Sequence, residues 1–154
     1  MDTFYTVKVK HKVKGEKQTK IICDTFFVNA LSVTEAESLM TEYAEPRLKE
    51  FIIQAVALSQ ITENFVKTNG GDKFYGFNLV TTTESDKGKS QDVTSYGIIN
   101  GSDIHAASAN LIEALKGTVS DCRVSKIQET KNIYDEDLTV RKKPDEIVKE
   151  ESLY

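Results

Sequence analysis

Phe4-Tyr5 returns as Phe74-Tyr75, a spacing of 70 that also matches Phe26 with Tyr96, Val28 with Ile98, Ser32 with Ser102 and Ala36 with Ala106. Farther along, Ser59-Gln60-Ile61-Thr62-Glu63 is answered by Ser125-Lys126-Ile127-Gln128-Glu129 at a spacing of 66. Loss of four residues between helix and last strand reconciles the two spacings. Landmarks that keep their order at a fixed period mark an internal repeat, so one supersecondary unit must suit both halves.

That unit reads as β-β-α-β. In the first half Tyr5, Val7, Val9, His11 and Val13 alternate with Phe4, Lys8, Lys10, Lys12 and Lys14, the period of two that marks a half-buried strand. Gly15-Glu16-Lys17 reads as a turn, and residues 20–29 as a second strand. Ser32, with Glu35 three positions later, predicts a helix start; Ala36, Leu39, Met40 and Tyr43 fall on one stripe, and Pro46 marks the stop. Residues 51–65 read as the third strand.

The second half opens after Asn69-Gly70-Gly71-Asp72. Residues 73–82 and 93–100 form its hairpin across a polar loop, 83–92. Ser102 caps a helix with a stripe of Ile104, Ala107, Ser108, Leu111, Ile112 and Leu115, ended by Gly117, and residues 122–129 close the unit. The expected fold is α+β: a tandem duplication over 1–68 and 73–131 with pseudo-twofold symmetry, antiparallel-rich sheets with helices on one face, and a charged tail over 132–154. Alternation sends apolar side chains to one side of each sheet, so the helices pack there and function falls to the other face.

Composition bounds the class. A chain of 154 residues with 39% hydrophobic and 29% charged residues is an ordinary globular mixture. Cys23 and Cys122 form no CxxC pair and read as small core residues in a reducing compartment. The first thirteen residues are polar and lysine-rich rather than signal-like, and the apolar run 51–58 is too short to cross a bilayer. A cytoplasmic protein without membrane contact is expected.

Net charge is −4, yet residues 1–20 hold six lysines against Asp2 and Glu16, while residues 132–154 hold seven acids against four bases. Lys8, Lys10, Lys12 and Lys14 share one strand face over about 20 Å at ~3.3 Å per residue. Such a row can follow the phosphates of a single strand, whose neutralisation dominates affinity. Phe4 falls on the lysine face, and Lys73-Phe74 repeats the pairing of aromatic and cation. Aromatic platforms beside basic grooves hold single-stranded DNA or RNA without sequence preference. The plainer alternative is a solvated strand whose lysines guard an edge.

Catalytic and metal signatures are wanting. His11 falls on the buried strand face, His105 in the first turn of the second helix, and no Cys/His spacing suits zinc. Asp135, Glu136 and Asp137 cluster without the rigid carboxylate set a metal-dependent nuclease needs. No catalytic residue, metal or cofactor is expected.

The end of the chain, Glu150-Glu151-Ser152-Leu153-Tyr154, resembles the acidic, hydrophobic-ended tails of bacterial and phage single-stranded DNA-binding proteins. That resemblance implies a protein-recruiting role for Glu150, Glu151, Leu153 and Tyr154; Arg141-Lys142-Lys143 departs from the pattern. A short helix over 144–153, docking on the body or on another subunit, is the alternative.

The chain as a whole resembles a family of short proteins of unknown function from Bacteroidetes and their tailed (crAss-like) phages. The resemblance rests on Phe4-Tyr5-Thr6-Val7-Lys8-Val9, Val28-Asn29-Ala30-Leu31-Ser32 with Thr34-Glu35-Ala36-Glu37, Lys73-Phe74-Tyr75, Lys116-Gly117-Thr118 and Ser125-Lys126-Ile127. It spans about residues 4–132, implies a bacterial or phage cytoplasm, and assigns no activity. The expected function is non-catalytic binding of single-stranded nucleic acid by Phe4, Lys8, Lys10, Lys12, Lys14, Lys73 and Phe74. A protein–protein adaptor or phage inhibitor of a host protein, and a nucleotide-sized ligand between the repeats, are the alternatives; homo-oligomerisation is open.

Overall fold

A computed structural model describes residues 2–116 and 121–140 of the chain. Gly117 and the tail residues Glu150, Glu151, Leu153 and Tyr154, along with Arg141-Lys142-Lys143, lie outside the described residues. The fold is mixed α+β and rich in antiparallel strands, and it divides into two units. The first joins Tyr5–Leu58 to the segment that begins at Asn132; the second joins Met1–Phe4 to Ser59–Lys131.

In the first unit, β1 (Phe4–Lys14), β2 (Thr19–Asn29) and β3 (Lys49–Leu58) form a sheet in the order β2-β1-β3. The alternation along β1 does what its period requires: Tyr5, Val7, Val9 and His11 are buried. They meet α1 (Val33–Ala44), whose Ala36, Met40 and Ala44 are fully buried in the same cluster as Phe26 and Val28. Each large side chain so enclosed contributes roughly 1.5–3 kcal/mol. Ser32 is the helix cap, as its sequence predicts: it is extended, and its Oγ accepts from the Glu35 amide at 3.1 Å. β1 and β3 run antiparallel, and because Lys8 pairs with Ala55 but Val9 with Ile53, Gln54 is an extra residue that bulges β3. Val13 departs from the alternation, at 40% exposed, because it lies beyond the last residue of β1 that pairs with β3.

The second unit holds β4 (Ile61–Asn64), β5 (Lys73–Glu84), β6 (Ser90–Gly101), α2 (Ile104–Leu115) and β7 (Cys122–Glu129). Its sheet order is β4-β6-β5-β7, with β4 parallel to β6 and the rest antiparallel. Tyr75, Phe77, Leu79 and Ile99 pack with Ala107 and Leu111 of α2. Two glycines permit close approach: a Cβ on Gly97 would stand 2.2 Å from Phe77 Cζ, and one on Gly101 2.4 Å from the Ala107 nitrogen. Asn100, buried at the end of β6, ties down the loop before β5. Its Oδ1 accepts from the Lys67 amide at 2.9 Å, and its Nδ2 donates to the carbonyls of Lys67 and Gly71 at 2.9 and 3.0 Å.

Several elements differ from the sequence expectation. The strand expected over 51–65 breaks at Ser59-Gln60, where Ser59 Oγ accepts from the Ile61 amide at 3.2 Å and turns the chain, so β3 and β4 enter different sheets. The second helix is capped by Asp103, not Ser102: the Asp103 carboxylate takes the Ala106 amide at 2.8 Å. The polar loop 83–92 shortens to a turn closed by Ser85 and Lys89, as β5 and β6 extend toward it.

Beyond β7, Ile133 forms a parallel bridge to Phe26 of β2, and α3 (Glu136–Thr139) follows. Leu138 is buried in the first unit's core, and Asn29 Nδ2 donates to the Thr139 carbonyl at 3.1 Å. These residues belong to the charged tail by composition and to the first unit by packing.

Candidate nucleic-acid interface

The first sheet has α1 on one face. On the other, alternation along β1 presents Lys8, Lys10, Lys12 and Lys14; Lys8, Lys12 and Lys14 are exposed and Lys10 half-buried. β1 is the central strand, so these lysines do not guard an edge. Register brings β3 residues beside them: Lys8 faces Ala55, Lys10 faces Ile52, and Lys12 faces Lys49. Lys49 and Ile52 thus join the face, a placement no local sequence pattern announces.

Glu50 is an acid on this surface. Its carboxylate pairs with the Lys12 ammonium, and that hydrogen bond and charge hold the Glu50 carboxyl below its ordinary range. The Glu50 backbone is left-handed at φ 45, a conformation uncommon outside glycine. Lys8, Lys10 and Lys14 have no ion-pair partner among the described residues. Three cations in one line without a neutralising acid form an attractive track for a polyanion.

Phe4 corrects the expectation. Parity along β1 places it on the lysine face, but it is only 1% exposed, so it cannot stack on a base. By its backbone it falls in the second unit, while β1 from Tyr5 onward belongs to the first. Alternation specifies a side of the strand, not what covers that side. Lys73 is exposed and Phe74 half-buried at the start of β5.

The remaining singled-out residues lie elsewhere in the two units. His11 is 6% exposed, and its Nε2 lies 2.8 Å from Asp24 Oδ2, so the ring is satisfied in the core. His105 is exposed in the first turn of α2. Cys122 packs against the second core, but Cys23 is exposed rather than buried: it neighbours Asp24, which points to His11, and so points to the other face, 3.7 Å from Gln54 Oε1. Asp135 caps α3 and accepts from Tyr43, while Asp137 pairs with Arg47 at 2.9 Å. Among the described residues no helix is long and apolar enough to cross a membrane.

A comparison with curated proteins finds no match. A family defined only as Domain of unknown function (DUF4494) matches residues 3–135. That span takes in β1 through β7, both long helices and the lysine row; the chain belongs to this family.

Proposed function

We propose that this chain is a non-catalytic nucleic-acid-binding protein that holds single strands on the face of its first sheet opposite α1. The observation that carries the reading is the line of Lys8, Lys10 and Lys14, exposed or half-exposed and without acidic partners among the described residues. Lys12 and Lys49 add charge next to Glu50. Phosphate neutralisation then supplies most of the affinity, and binding weakens steeply with salt. With Phe4 enclosed, stacking falls to Phe74, and Ile52 offers an aliphatic contact at 64% exposure. Recognition is accordingly of backbone charge rather than of base sequence. The tail residues Glu150, Glu151, Leu153 and Tyr154 would reach a protein partner in a bacterial or phage cytoplasm.

A gel shift with labelled oligonucleotides tests this. The full chain retards single strands at low salt, and Lys8→Glu with Lys14→Glu weakens the shift strongly without changing the circular dichroism spectrum. A shift unmoved by both substitutions rules the reading out.

The same reading takes the chain as a duplicated β-β-α-β unit. Asn29 ends β2 and Asn100 stands one residue before the end of β6, a spacing of 71, and each side chain fastens a main-chain segment: Thr139 in one case, Lys67 and Gly71 in the other. The segment after β3 adds β4 parallel to β6, and the segment after β7 adds Ile133 parallel to Phe26. Each repeat thus lends its following segment to the other's sheet.

A further inference from the structure

Near the start of β3 the ladder to β1 falls out of step. Lys10 faces Ile52 and Lys12 faces Lys49, so Glu50 and Phe51 together stand opposite His11. Two residues against one is a β-bulge, and where its first position is left-handed, glycine is the usual occupant. Glu50 occupies it here, at φ 45. Phe51 packs against the first unit's core, so Glu50 is the residue in excess, and its carboxylate lies against the Lys12 ammonium. A side chain held in a sparsely populated backbone conformation is a pointer to function.

The ion pair is suited to exchange. Lys12 and Glu50 are 45% and 67% exposed, so water reaches both groups and the pair is weak. Lys12 and Lys49, directly opposed, repel unless an anion lies near. Glu50 supplies that anion in the free chain, and a phosphate oxygen is an equivalent acceptor. Lys12 also falls between Lys10 and Lys14, so a strand that follows the row meets the Glu50 carboxylate there.

We propose that Glu50 is an internal competitor of the ligand: its carboxylate holds Lys12 in the free chain and yields it to a phosphate of the bound strand. This rests on the nucleic-acid reading of the lysine face and adds a threshold to it. A polyanion already held by Lys8, Lys10 and Lys14 brings its next phosphate to Lys12 at a local concentration that displaces a tethered carboxylate. A lone phosphate or a mononucleotide lacks those contacts and leaves the pair intact. The ligand class is accordingly an extended polyanionic strand.

Fluorescence anisotropy of a labelled single-stranded oligonucleotide tests the exchange in the full chain, in Glu50→Gln, in Lys12→Gln and in the two combined. Glu50→Gln keeps the shape of the side chain and removes its charge, so binding should tighten about threefold, the scale of a weak surface pair. Glu50→Gly, which suits the left-handed backbone, is the second variant and should give the same gain. Lys12→Gln should weaken binding and lower the salt slope by ~0.7, the share of one phosphate. In the Lys12→Gln background the gain from Glu50→Gln should largely vanish, because the acid acts through that ammonium. Unchanged affinity in Glu50→Gln, or a gain of undiminished size without Lys12, overturns the proposal. So does a Lys12→Gln chain with wild-type affinity and slope, in which Lys12 never leaves its carboxylate. Failure of the wild-type chain to bind at low salt is a separate result, which sinks the nucleic-acid reading and the exchange with it.

Discussion

The Tyr43 hydroxyl donates a 2.6 Å hydrogen bond to Asp135 Oδ2 across 92 residues of sequence. The bond fixes the chain that leaves β7 to the helix of the first unit. Arg47 reinforces it, lying 4.1 Å from the centre of the Tyr43 ring and reaching Asp137 with one nitrogen. The acidic cluster that looks like an unstructured tail in the sequence is here a docking element.

Tyr43→Phe keeps the ring that packs edge-on against Phe26 at 5.8 Å and removes only the hydroxyl. Loss of a hydrogen bond to a carboxylate should lower stability by about 1–2 kcal/mol, measured by urea unfolding. Burial, with the Asp135 carboxylate second, pushes the Tyr43 hydroxyl up to about 12 from 10.0. A raised folded value means the native state holds this proton more tightly than the unfolded chain does. The resulting stability is complete below pH 10 and declines as pH rises toward 12. Wild type should therefore lose stability over that interval more steeply than Tyr43→Phe.

A chain ending at Lys131 should be much less stable than the full chain. It loses the Phe27 amide to Ile133 carbonyl bond, the Ile133 amide to Thr25 carbonyl bond, and the buried side chain of Leu138. Leu138→Ala is the milder form and should cost about 2–4 kcal/mol. Hydrogen exchange should locate the loss in β2 and α1.

The two asparagines should respond unequally to alanine. Asn100→Ala leaves the main-chain groups of Lys67 and Gly71 without their side-chain partner, a cost of about 2–4 kcal/mol over three bonds. Among the described residues the Asn29 side chain makes one bond, to the Thr139 carbonyl, so Asn29→Ala should cost only about 1 kcal/mol. Thermal melting of both variants gives the order.

Gly101→Ala should be among the most damaging single substitutions, at about 3 kcal/mol or more, because the new methyl meets Ala107 main chain that cannot move aside. At Gly88 a Cβ meets nothing within 4 Å, but φ is +75, so Gly88→Ala should cost only about 1 kcal/mol of backbone strain. Chemical denaturation separates the two.

The sequence discloses what depends on local period and caps. Tyr5, Val7, Val9 and His11 face inward as alternation requires, Ser32 starts its helix, and β7 has the bounds expected of it. Partners chosen over long range are not written locally. Nothing near Ser59 says that the next strand will join another sheet, and nothing in Asp135 names Tyr43. Of the candidate site, the lysine row is legible because one strand contains it. Parity says nothing of the burial of Phe4, which is 1% exposed, and Lys49 and Ile52 enter only through the bulged register of β3.

Phosphate binding by the β1 lysines is what the proposed function requires. Fluorescence anisotropy of a labelled single-stranded oligonucleotide, titrated with the full chain at a series of salt concentrations, tests it most directly. The expected result is a linear fall of log affinity with log salt. In Lys8→Glu with Lys14→Glu the slope should be smaller by about 1.4, which is ~0.7 for each phosphate that is no longer neutralised. An anisotropy that never rises at low salt, or a slope identical in wild type and variant, would contradict it.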